Sequence, residues 1–276
     1  MVLDFSKVFG VSLRYPFERN AYLLFFAVNI VFAIGGWFLT GYFIGDMTDL
    51  ETIPALEQMI PFVAYVLPLV IASWLATLFL MPAYFENAAH FYRGKRKAIS
   101  EGFALSKKRF VSMFALFLIL GLIQLACLGG FLLTLLSIPL LSSPEGLAIL
   151  SAAAIWVIAG SVAGAVVIFT TFLSPVFCAL EKAKPLEAIR KSWGAVLKNK
   201  ANTLLFFVIF IVMFFGITII GSMPESVYYI LAGQPSSLSV TSFLFMLLRA
   251  AVSTYTSLFA YASLVSYYTG IKKTKD

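Results

Sequence analysis

The sequence has few charged residues, a single histidine and only two cysteines. Asp, Glu, Lys and Arg make up 12% of its 276 residues, whereas about a quarter of a soluble domain is charged. Cys127 and Cys178 fall in different apolar runs, so they indicate neither a disulfide framework nor a cysteine metal motif. This composition excludes an ordinary globular fold.

The sequence motifs of common enzymes are also missing. It contains no Walker A loop, no G-x-S-x-G, no H-E-x-x-H and no pair of intramembrane carboxylates. A b-type haem needs two facing histidines, and only His90 is present. Soluble stretches are no longer than about 25 residues, so no catalytic domain fits between the apolar runs. We expect no enzymatic activity, catalytic residue, metal or cofactor.

Long apolar runs dominate what the sequence does contain. Hydrophobic residues make up 61% of the chain, and its mean hydropathy is +0.95. A helix of roughly 20 apolar residues crosses the hydrocarbon core, and these runs are too uniformly apolar for barrel strands. We therefore predict an all-α, polytopic membrane protein with six transmembrane helices, forming a single membrane domain over residues 1–276. The predicted spans are 20–45, 58–85, 110–144, 146–180, 201–224 and 240–268, with an outer loop at 223–239.

The basic residues are distributed very unevenly between the predicted loops. One side of the membrane receives 19 of the 20 Lys and Arg residues. The loops of the other side hold only acidic residues: Asp46, Asp49, Glu51, Glu57, Glu145 and Glu225. Because Lys and Arg in short loops stay inside, we expect a cell-membrane protein with both termini in the cytoplasm. The net charge of +7 follows from this topology, so nucleic acid is not expected as a partner.

A short basic segment precedes each pair of spans. Phe9, Phe103 and Trp193 align without gaps in these segments, separated by 94 and 90 residues. That spacing fits one helix plus one transmembrane hairpin, which predicts three pseudo-repeats at about 1–96, 97–184 and 185–276.

On a helical wheel these segments are amphipathic. Each places its large apolar residues on one stripe and a pair of charged residues seven positions apart on the other face. A helix of this kind lies in the headgroup layer, so Phe9, Phe103 and Trp193 are predicted interfacial anchors. Two roles remain open: anchoring each hairpin, or forming a collar that binds a soluble partner or an anionic lipid.

Arg249 is the one basic residue away from the predicted cytoplasmic side. It lies about 28 Å from Tyr268 along a helix, near the outer edge of the hydrocarbon. There it can snorkel to the surface or meet an acidic residue such as Glu225, Asp46 or Glu145. A ligand or ion pathway is the alternative. We expect the snorkel.

Four other intramembrane polar residues are candidates for function. Glu86 and His90 share a helix face four residues apart, which suits a metal or a proton relay, but no second histidine exists. We expect interfacial packing there. Asn29 and Gln124 are single amides, and hydrogen bonds between helices explain both.

Small residues and prolines predict how the helices pack. Gly160 and Gly164 form a GxxxG pair in the fourth span, which lets a second helix approach closely, within the chain or across a dimer. Pro82 and Pro175 occupy equivalent positions in spans two and four and are expected to kink both helices.

Two segments carry a resemblance to a known family. These are Glu187–Trp193 (EAIRKSW), leading into span five, and Ser266–Gly270 (SYYTG), ending the last span. With them the whole chain resembles a broad family of uncharacterised six-span prokaryotic membrane proteins. That family also supplies the membrane domain of some glycerophosphodiester phosphodiesterases. The phosphodiesterase barrel and its metal-binding carboxylates are missing here, so the resemblance implies a membrane module without that catalysis.

Two function classes follow from these observations. The first is a non-enzymatic membrane module that organises lipid or partner proteins at the cytoplasmic leaflet. The second is a transporter or permease subunit for a small molecule or lipid, with a path lined by Asn29, Gln124 and Arg249. A continuous polar cavity would favour the second, and a dry core packed with Phe the first. Neither a partner's identity nor an oligomeric state follows from the sequence.

The topology prediction can be tested by cysteine accessibility. In a chain without its native cysteines, Ser143→Cys and Ser236→Cys should react with a membrane-impermeant maleimide from outside. Ser106→Cys should react only after permeabilisation, because it lies on the predicted cytoplasmic side. The opposite labelling pattern would contradict the topology.

Overall fold

The computed structural model describes residues 3–44, 56–95, 99–137, 144–233, 235 and 238–273. Within these ranges the chain is helical, with a 3-10 turn at Tyr15–Phe17 and no strand. Several charged residues of the topology argument lie outside the described residues: Asp46, Asp49, Glu51, Arg96, Lys97 and Lys275. The helices are α1 (Phe5–Arg14), α2 (Arg19–Ile44), α3 (Leu56–Tyr92), α4 (Ile99–Ser137), α5 (Pro144–Thr171), α6 (Ser174–Leu180), α7 (Pro185–Lys198), α8 (Lys200–Ala232) and α9 (Val240–Lys273).

The prediction of an all-α protein with six membrane-spanning helices is confirmed. Six stretches of the described residues are long and apolar enough to cross a membrane. They are Asn20–Leu39, Val63–Tyr92, Ser100–Gly129, Ala154–Leu180, Lys200–Ala232 and Val240–Lys272. Such helices satisfy every backbone hydrogen bond internally, which a span in lipid requires.

The chain divides into two compact units. Unit one contains Met1–Lys108 and Leu204–Asp276, and unit two contains Arg109–Thr203. These boundaries fall within α4 and near the start of α8, away from the predicted repeat boundaries. The threefold repeat therefore stays a prediction.

The three basic segments fold differently from one another. The first forms α1 and ends at the turn containing Pro16, and the third forms α7 and ends at Asn199. The second is continuous with its span in α4, so the expected separate helix is absent there. Residues 104–113 contain no proline or glycine to break the helix, which explains the continuity.

The predicted outer loop at 223–239 is wrong over its first part. Helix α8 continues through Pro224 to Ala232. A proline removes a single backbone donor, and a helix in hydrocarbon loses more by unwinding than by leaving one carbonyl with a weakened partner. Consequently Glu225 and Tyr229 lie on α8.

The two prolines that we expected to kink their helices behave differently. Pro82 lies inside the uninterrupted helix α3, whereas Pro175 follows a break between α5 and α6. Ser192 of α7 satisfies the backbone at this break in unit two. Its hydroxyl donates to the Thr170 carbonyl at 2.8 Å and accepts from the Leu173 N–H at 3.2 Å. The broken helix end therefore keeps its hydrogen bonds.

Helix α1 is docked into unit one along α9. Val8, Phe9 and Ser12 are buried. Tyr255 on α9 donates its hydroxyl proton to the Leu13 carbonyl at 3.1 Å. Tyr15 follows α1, is fully buried, and donates to the Tyr84 carbonyl at 3.3 Å. Burial raises the pKa of Tyr15, so this phenol stays a neutral donor.

Aromatic rings fill the part of unit one next to α1. Phe206 stacks against Tyr267 at 4.4 Å, Phe9 at 5.6 Å and Phe210 at 5.8 Å between ring centroids, and Phe210 stacks on Phe259 at 5.9 Å. We call the side of unit one where α1 begins and α9 ends the terminal side. This packed region lies towards that side.

A second aromatic group lies between α2, α3 and α9. Tyr261 is buried and contacts Phe85 at 5.5 Å, Phe25 at 5.9 Å and Tyr84 at 6.1 Å. Phe25 also meets Tyr84 edge to face at 5.2 Å. Together the two groups form a close-packed layer, which we call the aromatic layer.

The burial of individual residues bears on the labelling experiment above. Ser106 is fully buried, so a cysteine there would be protected whatever the topology. The adjacent Lys107 is exposed and is the better site. Ser143 and Ser236 lie outside the described residues.

Replacing Phe206 with alanine should destabilise the fold strongly. Its side chain is 1% exposed and contacts rings from two other helices, so truncation leaves a cavity. We expect a loss of about 3–5 kcal/mol in the free energy of unfolding, measured by denaturation in mixed micelles. Phe215→Ala, at a side chain that is 58% exposed on the same helix, should cost far less. Equal losses would contradict the aromatic layer as a stabilising core.

Candidate functional site

An ion pair joins α8 to α9 away from the terminal side. Arg249 Nε donates to Glu225 Oε2 at 2.8 Å, and Arg249 Nη2 donates to Glu225 Oε1. Tyr229, one turn along α8, donates its hydroxyl proton to the same Oε1. The pairing is bidentate, and this arrangement matches the planar fork of guanidinium to a carboxylate.

The two partners of this ion pair differ in exposure. The Glu225 side chain is 8% exposed and the Arg249 side chain 66%. A buried carboxylate in a membrane span requires a counter-charge, and Arg249 supplies it. The structure thus replaces the expected lone snorkel with the alternative of a paired, desolvated carboxylate. Glu225 was one of the acidic residues considered; Tyr229 was missed, although its i, i+4 spacing from Glu225 was visible in the sequence.

Two cavities flank Arg249 within unit one. The first, of about 330 Å³, lies between α8 and α9. The second, of about 470 Å³, lies between α2, α3, α8 and α9, and both Asn29 and Arg249 line it. The structure therefore brings two of the three predicted path residues to one cavity.

Most polar groups of the larger cavity are already hydrogen-bonded. Asn29 Nδ2 donates to Thr254 Oγ1 at 2.9 Å, and Trp37 Nε1 donates to Ser242 Oγ at 3.1 Å. Asn29 thus makes the kind of interhelical hydrogen bond that the sequence suggested. Asn29 is the lining residue of α2 nearest to the aromatic layer, and it lies four residues, about 6 Å along the helix, from Phe25.

The remaining path candidate, Gln124, belongs to unit two. Its Nε2 donates to the Gly164 carbonyl at 3.3 Å. A Cβ atom at Gly160 would overlap the carbonyl oxygen of Cys127, so α4 and α5 approach closely at the GxxxG pair. Gly160, Gly164 and Gln124 therefore act together in packing two helices of this unit.

A basic groove opens on the terminal side of unit one. Its volume is about 720 Å³, and its walls come from α1 and from the end of α3. The described residues that line it include four cations and no carboxylate. They are Ser6, Lys7, Gly10, Val11, Arg14, Phe91, Tyr92, Arg93, Gly94 and Lys95.

Local sequence explains how this basic groove is built. Helix α3 ends in a Schellman turn: the Lys95 N–H donates to the His90 carbonyl at 2.9 Å, and the Gly94 N–H donates to the Phe91 carbonyl at 2.9 Å. Gly94 has φ +73°, which glycine adopts without strain. Asp4 caps α1 by accepting from the Lys7 N–H at 3.0 Å. The end of α3 supplies Arg93 and Lys95, and α1 supplies Lys7 and Arg14 along its length.

The cations of the basic groove are exposed. Lys7, Arg14, Arg93 and Lys95 all point away from the packed core, and Lys7 Nζ lies 5.2 Å from the centre of the Tyr92 ring. In unit two, by contrast, Lys191 is bound internally, at 3.0 Å from Glu187 and 3.1 Å from Glu181. Its hydrogen bond lowers the pKa of the Glu187 carboxyl.

The other predicted site residues take separate places. Glu86 and His90 are half-buried near the end of α3, and the His90 carbonyl accepts the Schellman bond. Among the described residues, no three His, Cys, Asp or Glu side chains group closely enough to hold a metal ion.

The three aligned anchor residues differ in burial. Phe9 is buried in the aromatic layer, and Phe103 is half-buried, 6.5 Å from Phe79. Trp193 is 45% exposed, whereas Ala188, Ser192 and Val196 form the buried face of α7. Of the three, Trp193 is thus the one with an exposed ring that can reach a headgroup layer, and Phe9 serves in packing.

Comparisons with protein-family models, curated proteins and solved structures return no match for this chain. The resemblance to six-span membrane proteins therefore stays a prediction, and the site has to be interpreted from its own geometry.

Arg249→Leu should destabilise the protein, because it leaves the buried Glu225 carboxylate without its counter-charge. We expect a loss on the order of 2–4 kcal/mol in the free energy of unfolding in detergent. Arg249→Lys should keep only part of the stability that Arg249→Leu loses, since an ammonium cannot make the bidentate contact. The double variant Arg249→Leu/Glu225→Leu should be more stable than Arg249→Leu alone.

Leu244→Ala is the control for this series, because its side chain is exposed on α9 outside both cavities. If Arg249→Leu costs no more than Leu244→Ala, the ion pair contributes nothing measurable.

Proposed function

We propose that this chain is a non-enzymatic, multi-pass membrane module that binds and organises anionic lipid headgroups at the cytoplasmic leaflet. The observation that carries this proposal is the basic groove, in which four cations face a cleft of about 720 Å³ without a lining carboxylate among the described residues. The transmembrane character is established by the six apolar helices; the leaflet and the ligand are the proposal.

Charge distribution supports the choice of leaflet. The basic groove lies on the terminal side of unit one, where α1 begins and α9 ends, and the positive-inside rule puts the cytoplasm there. Cytoplasmic leaflets are rich in anionic lipids, and each nearby Lys or Arg contributes about 1 kcal/mol of attraction to such a surface. Four cations held in one cleft add geometry to this attraction, because a single headgroup can reach several of them.

The chemistry of the groove walls also suits a headgroup. Arg14 and Arg93 present planar forks that match phosphate oxygens, while Lys7 and Lys95 are point charges on flexible stems. Tyr92 also lines the groove, with its ring 5.2 Å from Lys7 Nζ. The four cations would also attract a soluble acidic partner. We favour lipid because the groove lies at the end of a membrane-spanning helix, where lipid headgroups are abundant.

The packing inside unit one supports the lipid-organising membrane module over a transporter. The cavity next to Asn29 and Arg249 stops before the layer of Phe25, Tyr84 and Tyr261. Transport would require these packed rings to separate. The shared cavity is nevertheless a specific observation in favour of the second candidate, a transporter or permease subunit.

Neutralising the basic groove should weaken the binding of anionic lipid. We expect the combined variant Lys7→Gln/Arg14→Gln/Arg93→Gln/Lys95→Gln to bind phosphatidylglycerol at least about tenfold more weakly, because about 1 kcal/mol of attraction is lost per cation. Native mass spectrometry of the detergent-solubilised protein during a lipid titration measures this change.

The matched control removes the same charge elsewhere on the predicted cytoplasmic side. Lys107, Lys108, Lys198 and Lys200 are exposed and lie outside the groove, and changing all four to Gln should have little effect. Equal weakening in both variants would mean that overall charge, not the groove, recruits lipid. Unchanged lipid binding, together with loss of a cross-linked protein, would favour a partner protein instead.

A further inference from the structure

A second lipid site is suggested at the opposite end of unit one. We infer that the groove between α8 and α9 beside Arg249 binds one phospholipid with a zwitterionic headgroup, its phosphate at Arg249 and an acyl chain along the groove. Arg249 lies about 30 Å along α9 from Gly270, which is near the terminal side. This site is therefore distinct from the basic groove and goes beyond the proposed function.

The shape of the groove comes from how α8 and α9 are joined. Towards the terminal side, large rings hold the helices apart, with Phe210 stacked on Phe259 at 5.9 Å. At the other end the Arg249–Glu225 ion pair joins them. Between these two junctions Val252 of α9 lies close against Gly221 of α8, and the groove runs beside this contact. The walls there carry mainly small side chains: Thr218 and Ser222 from α8, and Ser253, Thr256 and Ser257 from α9.

The size of this gap suits part of a lipid. Its volume of about 330 Å³ is at the lower end of the range for ligand pockets, which run from about 300 to 1,000 Å³. From Arg249 to Ser257 the groove extends about 12 Å along α9, at about 1.5 Å per residue. Hydroxyls in the walls do not oppose an acyl chain, because Thr218 and Thr256 donate to backbone carbonyls of their own helices.

Arg249 supplies the polar end of the site. Its Nε and Nη2 atoms bind Glu225, and Nη2 also lies 3.5 Å from the Tyr229 hydroxyl. Its Nη1 atom makes no hydrogen bond to any residue that the structure describes, and two thirds of the side chain is exposed. Guanidinium nitrogens are good donors to phosphate oxygens, so Nη1 can bind a phosphate while the ion pair stays intact.

Charge balance selects the headgroup. Arg249 and Glu225 together carry no net charge, so an anionic lipid would leave one uncompensated negative charge in a weakly polar environment. A zwitterionic headgroup brings its own ammonium group and keeps the site neutral. The larger cavity on the other side of Arg249 suits a lipid less well, because its amide and indole groups are already hydrogen-bonded to Thr254 and Ser242.

Filling the groove tests this inference without disturbing the ion pair. Ser257→Leu places a branched side chain in the groove, eight residues from Arg249. Ser226→Leu is the matched control, since Ser226 is exposed on α8 and does not line the groove. Each protein is purified in detergent and exchanged into mixed micelles that contain phosphatidylethanolamine or phosphatidylglycerol. Native mass spectrometry at increasing collision energy then counts the lipid molecules that each protein retains.

We expect the wild type and Ser226→Leu to retain one phosphatidylethanolamine, and Ser257→Leu to retain at least about fivefold less at equal thermal stability. Phosphatidylglycerol should compete poorly for this position in a protein that also carries the four Gln substitutions of the basic groove. Equal phosphatidylethanolamine retention by Ser257→Leu and Ser226→Leu would overturn the site. Equal retention of both lipids by the protein that carries only the four Gln substitutions would overturn the zwitterionic assignment.

A conservative change at Arg249 gives a second readout. Arg249→Lys keeps the charge and can still pair with Glu225, but it loses the free planar Nη1 donor. Retention of phosphatidylethanolamine should fall at least about threefold, and an unchanged value would show that the phosphate does not bind Arg249.

Discussion

Helices in a lipid bilayer gain no hydrophobic advantage from contacting one another, so close packing and polar contacts must hold the bundle together. In unit one both depend on α9. Towards the terminal side, its Phe259, Tyr261 and Tyr267 meet rings from three other helices. Further along, Thr254 binds Asn29 and Arg249 binds Glu225. The two cavities beside Arg249 and the Arg249–Glu225 ion pair lie where α9 switches from large rings to small polar side chains.

Composition was sufficient to predict the helical class and the number of spans, because apolar length is a direct physical requirement for crossing a membrane. The predicted helix ends that were wrong depend on a balance between local sequence preference and the environment of the helix. Pro224 did not end α8, since a helix in an apolar setting keeps its backbone paired around one missing donor. The second basic segment merged with α4 because nothing in its sequence breaks a helix. Turn-forming residues therefore predicted helix ends less well than uninterrupted apolar length predicted spans.

The candidate site was only partly visible from sequence. Arg249 stood out as an isolated cation, and Asn29 as an amide in a span, but neither pattern showed that both line one cavity. Glu225 was assigned to a loop, so its pairing with Arg249 remained one option among several until α8 proved to be longer. The basic groove was less visible still. It depends on the Schellman turn at Gly94, which brings Arg93 and Lys95 beside α1. These two residues are about 80 positions away from α1 in the sequence.

The two ends of unit one differ in how their charges are arranged. On the terminal side four exposed cations line a groove that has no lining carboxylate among the described residues, an arrangement that attracts anions and weakens with salt. At the other end the one cation is neutralised by a buried carboxylate, so selection there rests on hydrogen-bond geometry and shape. The aromatic layer lies between these two ends. Under the two lipid sites proposed above, this asymmetry would let the protein bind different lipids in its two leaflets without transferring either one between them.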